Sequence, residues 1–428
     1  MAANNPSIPR KMGWRLMFPM RDRIVVILSL AIQFPLALLF GHYYDDRIFL
    51  ATGYLVANGQ SPYQAQDLSA VFHSSIFQGI TTIGYPPPWA LVLGIMYRIA
   101  NWISANLFVY NFAIKLPIIA ANIGIAYLVG AMLARLGADE SASRNARVLL
   151  LLNPFLFYFG TAWGQFDAIV AVFSLMAVML LEDQKLGWSA LMLALAVSFK
   201  PTAIPILCVF WIYWTGKSFW HAVRFLAFFI AGIILFCILP FPVFGWDPAP
   251  ILAHWNFHFT VAGGMSPMTI YSLFNNFGQL TGAWRLLGWV WIPALVLGMM
   301  ALRSRIRGVE DVLRASAAMV LIFFLTRSWL SEPNVILIVP LAVMLASVGR
   351  ISSRALAAVW ILPFIFTALN NSIPQLLFPI LFGSMPTLMQ SDGEFRAVLL
   401  AAQIVIIILW QIAGWRIVAR CLPRNQEQ

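Results

Sequence analysis

The run IVVILSLAIQFPLALLF, residues 24–40, decides the fold, because it contains no charged residue over a length close to that of a membrane helix. The basic residues before it are Arg10, Lys11, Arg15, Arg21 and Arg23. No small-residue cleavage site follows, and the next residues, GHYYDDR at 41–47, are aromatic and charged. We therefore interpret the run as a membrane span rather than a cleaved signal peptide.

The rest of the chain has the same apolar character. Its 428 residues are 61% hydrophobic and 10% charged, whereas soluble domains carry about a quarter charged residues. This composition predicts a polytopic membrane protein and excludes a soluble enzyme, a coiled coil and a disordered chain. Cys208, Cys237 and Cys421 form no CxxC pair, which argues against a redox or zinc framework.

The net charge of +11 is concentrated in short connections between apolar runs. These connections hold Lys217 and Arg224; Arg303, Arg305, Arg307 and Arg314; Arg350 and Arg354; and Arg416, Arg420 and Arg424. Basic connections mark the cytoplasmic side of a membrane protein, so we expect both termini there and an even number of spans. The charge then faces anionic lipid, and we expect no nucleic-acid partner.

Apolar runs predict an all-α, polytopic membrane fold with about twelve and up to fourteen transmembrane helices. The candidate spans are 24–40, 86–101, 103–136, 148–161, 165–181, 188–199, 201–214, 225–244, 286–302, 315–330, 334–349, 355–370 and 397–415. The number varies because 103–136 fits one tilted helix or two short ones broken near Lys115-Leu116-Pro117. We expect the whole chain, 1–428, to form one integral membrane unit.

Two longer segments, 41–85 and 245–284, are poor in basic residues and are expected outside. Ile48–Ala57 in the first predicts a short amphipathic helix lying on the membrane. If Arg135, Arg144 and Arg147 are cytoplasmic, residues 165–167 and Lys200 also lie at the outer face.

Asp45 and Asp46 are the first candidates for chemistry, because adjacent carboxylates at a membrane interface are unusual in a chain with few acids. One carboxylate can act as a general base toward a hydroxyl while its neighbour positions the acceptor. The structural alternative is an interfacial cap with Asp45 at a helix N-terminus.

Only a few cationic side chains are candidates for binding an anionic ligand. Lys200 stands alone in an apolar stretch, and charges inside a membrane tend to mark ligand or ion paths, although a snorkelling lysine is the alternative. Arg327 is a second candidate, unless it pairs with Glu332. His254 and His258 have helical i, i+4 spacing, which suits a metal or a phosphate, and simple loop histidines are the alternative. Since no third ligand is near them, we predict no metal site.

Several motifs in order resemble one known family. They are the acidic pair after the first span, the turn Gly59-Gln60-Ser61-Pro62-Tyr63, Tyr85-Pro86-Pro87, Lys115-Leu116-Pro117, Asn153-Pro154, Trp163-Gly164-Gln165-Phe166-Asp167 and Lys200-Pro201-Thr202. This series resembles the GT-C superfamily of glycosyltransferases. Within it, the series is similar to the polyprenyl-phosphate-mannose-dependent mannosyltransferases of phosphatidylinositol-mannoside and GPI synthesis. Ser331-Glu332-Pro333-Asn334 stands where relatives carry His-Glu-Arg-Tyr or Ser-Glu-Gln-Asn.

The resemblance implies a GT-C-type catalytic module over 24–214, followed by more variable helices over 215–428. It implies an inverting transferase that moves a hexose, expected to be mannose, from a polyprenyl phosphate to a hydroxyl of a lipid-linked or glycolipid acceptor outside the membrane. A monomer in a prokaryotic plasma membrane is expected, with no cofactor or divalent metal.

The resemblance also assigns roles to residues. Asp45 and Asp46 match the catalytic acid; we choose Asp45 as the base because it comes first after the span, with Asp46 as its partner. Lys200, Arg327, His254 and His258 are expected at the donor phosphate. The residues expected to bind the sugar or the acceptor are Tyr85, Gln165, Asp167 and Glu332.

Two other functions remain open from the sequence. Broken helices and Lys200 would also suit a transporter or flippase of a lipid-linked or small anionic substrate, although no internal repeat is visible. A non-catalytic assembly subunit that kept the fold is the other, and the retained acid pair argues against it.

Overall fold

The computed structural model describes residues 20–42, 44–81, 83–253, 269, 286, 288–370, 375–377 and 393–422. These described residues are about 80% helical with almost no strands, which confirms the predicted all-α class. The helices are α1 Met20–Leu39, α2 Asp45–Ala57, α3 Ser69–Phe72, α4 Pro87–Ile103, α5 Leu107–Arg135, α6 Glu140–Leu151, α7 Pro154–Leu156, α8 Asp167–Glu182, α9 Leu186–Phe199, α10 Ile204–Lys217, α11 Phe219–Ile233, α12 Pro240–Phe244, α13 Trp291–Leu302, α14 Val309–Thr326, α15 Ile338–Ser347, α16 Ser353–Asn370 and α17 Gly393–Cys421.

Single turns of other helix types join these elements. They are 3-10 turns at Ser75–Phe77, Pro201–Ala203 and Glu332–Leu337, and π-helical turns at Phe157–Ala162 and Ile234–Ile238. Two short strands, β1 Phe40–His42 and β2 Gln375–Leu377, pair antiparallel with Gly41 opposite Leu376. This ribbon ties the residues just before Asp45 to the C-terminal part of the chain.

Four helices of the described residues are long and apolar enough to cross a membrane: Asp22–Leu39, Leu107–Arg135, Phe219–Phe244 and Ala397–Cys421. A fifth is added if Glu140–Ala162 and Asp167–Glu182, bent by 118°, count as one broken span. The predicted twelve to fourteen spans are therefore not confirmed. Several candidate runs form apolar helices of 10–17 residues, such as Leu186–Phe199 and Trp291–Leu302, which are shorter than the roughly 20 residues that cross an average bilayer.

The helix α5 resolves the alternative left open for residues 103–136. It is continuous from Leu107 to Arg135 and carries Pro117 in its interior. The broken element is the next one, because the chain turns sharply between the π-helical turn Phe157–Ala162 and α8. Gly164, in the left-handed region with φ of +93°, lies at this bend. The bend places residues 163–166 between helices and Asp167 at the start of α8.

Ion pairs mark one end of the helix bundle. Arg147 pairs with Asp22 at the start of α1 (2.9 Å), and Arg135 pairs with Glu182 and Asp183 at the end of α8 (3.1 and 3.0 Å). Because α1 and α8 each begin or end here, their other termini lie at the opposite end. Asp45, Gly164 and Lys200 are at that opposite end, as the contacts described below show.

The helix α2 was predicted to lie on the membrane, and the structure differs from this expectation. A surface helix buries one face, but Ile48 to Gly53 are buried at every position. The helix is embedded because it packs closely on α4, where two glycines allow the approach. A Cβ at Gly53 would lie 3.0 Å from the Leu93 carbonyl oxygen, and one at Gly94 would overlap the Val56 side chain.

We expect Gly94→Ala to lower the free energy of unfolding by about 1–3 kcal/mol, since the added methyl overpacks the contact between α2 and α4. Thermal unfolding in detergent measures the change. Gly216→Ala in α10 is the matched control, because nothing lies within 4 Å of its Cβ position. The control should be neutral or stabilising by up to about 1 kcal/mol. Equal melting temperatures for both variants would contradict the close packing.

Candidate functional site

The Asp45 carboxylate lies at the centre of a polar cluster. This cluster is at the end of the bundle opposite the ion pairs of Arg135 and Arg147, which we call the site end. Asp45 is the first residue of α2, where the positive end of the helix dipole favours a carboxylate. Its Oδ2 atom accepts hydrogen bonds from Trp163 Nε1 (2.7 Å) and Gln165 Nε2 (2.7 Å). His42 Nδ1 lies 3.2 Å from the same oxygen. Three groups therefore converge on one oxygen atom.

The side chains of His42 and Trp163 stack on each other beside Asp45. Their rings stack with centroids 4.0 Å apart and planes 5° from parallel. The backbone N–H of His42 also donates to the Trp163 carbonyl oxygen (3.4 Å). Neither residue was predicted as a site residue, and the signal for each was its position a few residues before Asp45 or Gln165.

Asp45 stays ionised in this environment. Burial opposes ionisation, but the His42 ring and the hydrogen bonds from His42, Trp163 and Gln165 outweigh it and hold the pKa of Asp45 below its usual range. The side chain remains 18% exposed. Within the described part of the chain, no hydrogen bond is made to Asp45 Oδ1, so one carboxylate oxygen is available to a ligand.

Asp46 has a different environment although it is the next residue. Its side chain is fully buried, and neither of its oxygens makes a hydrogen bond to the residues that the structure describes. Lys115 Nζ lies 3.6 Å from Asp46 Oδ2. Burial is the strongest influence and raises the pKa of Asp46 to about 7, with the negative charge of Asp45 adding to the rise and Lys115 opposing it. The two predicted catalytic carboxylates thus differ in access and in pKa.

The predicted cation Lys200 joins the cluster through Gln165. Lys200 Nζ lies 2.8 Å from Asp167 Oδ2 and 3.4 Å from Gln165 Oε1. Asn334 donates to the other Asp167 oxygen (3.0 Å). Since Gln165 also donates to Asp45, one amide connects the acid to the cation. Asn334 ends the motif Ser331-Glu332-Pro333-Asn334 but was not predicted as a site residue.

Tyr85 covers the lysine from one side. Lys200 Nζ lies 5.3 Å from the centroids of both the Tyr85 and the Phe166 rings, within range of a cation–π interaction. Burial and the nearby charges of Asp45 and Asp167 raise the pKa of Tyr85 well above its usual value. Tyr85 therefore keeps its hydroxyl proton and can donate it in a hydrogen bond.

The remaining predicted residues are less closely connected. Glu332 is buried at the start of the 3-10 turn that also carries Asn334. Arg327, half-buried, places its guanidinium carbon 5.1 Å from the Phe323 ring centroid. No hydrogen bond or ion pair joins Arg327 to Asp45 or Lys200 in the described ranges. His254 and His258 lie outside the described residues.

A metal centre has no obvious ligands here. Among the residues that the structure describes, no group of three or more His, Cys, Asp or Glu side chains could hold a metal ion. The independence from metals that the sequence suggests stays a prediction.

The raised pKa of Asp46 has a consequence for stability. Between about pH 4 and pH 7 the folded protein binds a proton that the unfolded chain has released, so the free energy of unfolding falls as the pH rises through this window. Asp46→Asn removes this titration. Its melting temperature should therefore fall less than that of the wild type between pH 5 and pH 8.

Asp67→Asn is the control for this experiment. Asp67 is exposed and accepts hydrogen bonds from Ser69, so its substitution should leave the pH dependence between pH 5 and pH 8 unchanged. The same pH dependence in the wild type and in Asp46→Asn would show that burial does not raise the pKa of Asp46.

Comparison with known proteins gives one family. No curated protein matches the chain. Residues 24–216 match the family described as alpha-(1->6)-mannopyranosyltransferase, N-terminal domain. This range contains Asp45, Asp46, Lys115, Gln165 and Lys200, so the match covers most of the cluster. This similarity over residues 24–216 agrees with the motif resemblance and fits a GT-C mannosyltransferase.

Proposed function

We propose that this membrane protein is an inverting mannosyltransferase of the GT-C type. It takes mannose from a polyprenyl phosphate and transfers it to a hydroxyl of a lipid-linked or glycolipid acceptor at the extracytoplasmic face. The observation that carries the proposal is the Asp45 carboxylate, which is ionised, partly exposed and held by three side chains through one oxygen only. The family match supports mannose as the sugar.

Asp45 is the general base in this proposal. The acceptor hydroxyl gives its proton to Asp45 Oδ1 while its oxygen attacks the anomeric carbon of mannose. The bond from that carbon to the phosphate oxygen breaks on the opposite face, and polyprenyl phosphate leaves with inverted configuration at the sugar. A base whose pKa is held low is adequate, because the hydroxyl becomes strongly acidic only as the new bond forms.

Lys200 stabilises the negative charge that develops on the leaving phosphate. An ammonium group has three N–H donors, and two partners, Asp167 and Gln165, lie near this one. One donor is then left for a phosphate oxygen. The Tyr85 hydroxyl, which stays protonated, is suited to donate to the sugar or the phosphate. Electrostatic stabilisation of this kind is a large term in transfer reactions.

The proposal needs no resident cofactor and no partner protein. Donor, acceptor and surrounding lipid are the only partners it requires, and the chain acts as a monomer in a prokaryotic plasma membrane. The ion pairs of Arg135 and Arg147 mark the cytoplasmic end, since basic connections are retained on that side. Asp45 and Lys200 then lie at the outer end, where polyprenyl-linked sugars would be presented.

We expect Asp45→Asn to lower kcat for mannose transfer by about 10²- to 10⁴-fold, because the variant lacks the proton acceptor. The assay supplies purified protein with radiolabelled polyprenyl-phosphate mannose and membrane acceptors and follows the label. Asp67→Asn, in the same outer segment but exposed, is the matched control and should keep wild-type activity. Full activity in Asp45→Asn would overturn the base assignment. Substrate flux into vesicles without transfer would favour a transporter instead.

The proposed orientation is tested by cysteine labelling in a chain whose own three cysteines are replaced. Gln60 and Lys185 are exposed at opposite ends of the bundle. We expect a membrane-impermeant maleimide to label Gln60→Cys in intact cells and Lys185→Cys only after permeabilisation. The reverse pattern would overturn the orientation, and labelling of both from outside would contradict the separation of the two ends by the membrane.

A further inference from the structure

Lys115 is a buried ammonium group that the proposed reaction does not use. It lies within α5, one of the apolar helices long enough to cross a membrane, and its side chain is completely buried. Charges in such helices are costly and persist where they have partners or a function. One partner of Lys115 lies in the connection between α1 and α2, and the other lies in the first turn of α2. Its Nζ donates to the Phe40 carbonyl oxygen and lies 3.6 Å from Asp46 Oδ2.

Asn111 lies one turn before Lys115 on the same face of α5 and contacts the same connection. Its Nδ2 donates to the carbonyl oxygens of Phe40 (2.9 Å) and Leu38 (3.2 Å). The last carbonyl groups of a helix have no partner within it; Asn111 satisfies that of Leu38 in the last turn of α1, and Asn111 and Lys115 both donate to that of Phe40 just beyond the helix. The chain that leads to Asp45 is thus bound to α5 at two successive points.

Two glycines close the space around Asp46. A Cβ at Gly41 would overlap the Asp46 carboxylate. A Cβ at Gly164 would lie 3.2 Å from Lys115 Cε and 3.4 Å from Asp46 Oδ1. The pair of Asp46 and Lys115 is therefore packed against backbone on two sides. A substrate hydroxyl has no route to Asp46 that leaves these contacts intact.

We propose that Lys115 and Asp46 form a positioning pair that holds the start of α2, so that the Asp45 carboxylate meets Gln165 and the acceptor. The proposal rests on the proposed function in taking Asp45 as the base. It assigns the two neighbouring acids different tasks. Asp45 touches the substrate, whereas Asp46 acts through Lys115 and the Phe40 carbonyl. Lys115 becomes a determinant of activity although it lies behind the site.

A double-mutant cycle at pH 8 tests the pair. Lys115→Met and Asp46→Asn each leave one buried polar partner without the other, and displacement of the base should lower kcat by about 10- to 100-fold with KM within about threefold. In the double variant neither charge remains, so the loss should be less than the product of the two single losses, by at least about tenfold. Lys115→Met combined with Asp67→Asn is the control and should give independent effects.

Recovery of activity by a second substitution distinguishes a positioning residue from the proton acceptor. No second substitution at position 115 should restore activity to Asp45→Asn, since the proton acceptor itself is missing. If Asp46→Asn lost as much activity as Asp45→Asn and the double variant recovered nothing, Asp46 would act on the substrate and the proposal would fail.

The melting temperatures of the same four proteins decide the case in which no mannose transfer is detected. The proposed function would then be wrong, but the pair would still predict non-additive changes in melting temperature for Lys115→Met and Asp46→Asn. Additive changes would overturn the positioning pair whatever the activity. A failure of the pair and a failure of the transferase assignment are therefore distinguishable.

Discussion

The pairing of buried charges organises this protein. An unpaired charge removed from water costs several kcal/mol, so each buried cation needs an anion placed near it by the fold. At the site end these pairs are Lys115 with Asp46 and Lys200 with Asp167. The first pair joins α2 to α5, and the second joins the start of α8 to the residue that ends α9. Because both pairs must form together, the chain between α1 and α2 and the bend before α8 take up one defined arrangement.

Gln165 connects the two halves of this arrangement. Its amide nitrogen donates to Asp45 and its oxygen lies near Lys200, so the proposed base and the proposed phosphate ligand are separated by a single side chain. The amide has this position because the chain bends by 118° between the π-helical turn and α8. In the proposed reaction, this amide would couple the charge at the acceptor hydroxyl beside Asp45 to the charge at the phosphate beside Lys200.

The sequence identified many of these residues but not their connections. Asp45, Gln165, Asp167 and Lys200 were predicted as site residues because they are polar or charged groups in a chain with few of them, and the structure brings them together. Lys115 satisfied the same criterion as Lys200 but was interpreted as part of a helix motif. His42, Trp163 and Asn334 were missed as site residues, since uncharged residues carry no comparable signal in an aromatic-rich chain.

The amino-acid order alone predicted the membrane class, the all-α fold, the mannosyltransferase resemblance that the match over residues 24–216 supports, and the short list of charges worth considering. These follow from composition and ordered motifs, which are properties of the chain read in one dimension. Only the tertiary structure distinguished Asp45 from Asp46, which have the same side chain and adjacent positions. The distinction arises because successive residues in a helix point about 100° apart. One carboxylate therefore faces the open side with Gln165, and the other faces α5 with Lys115.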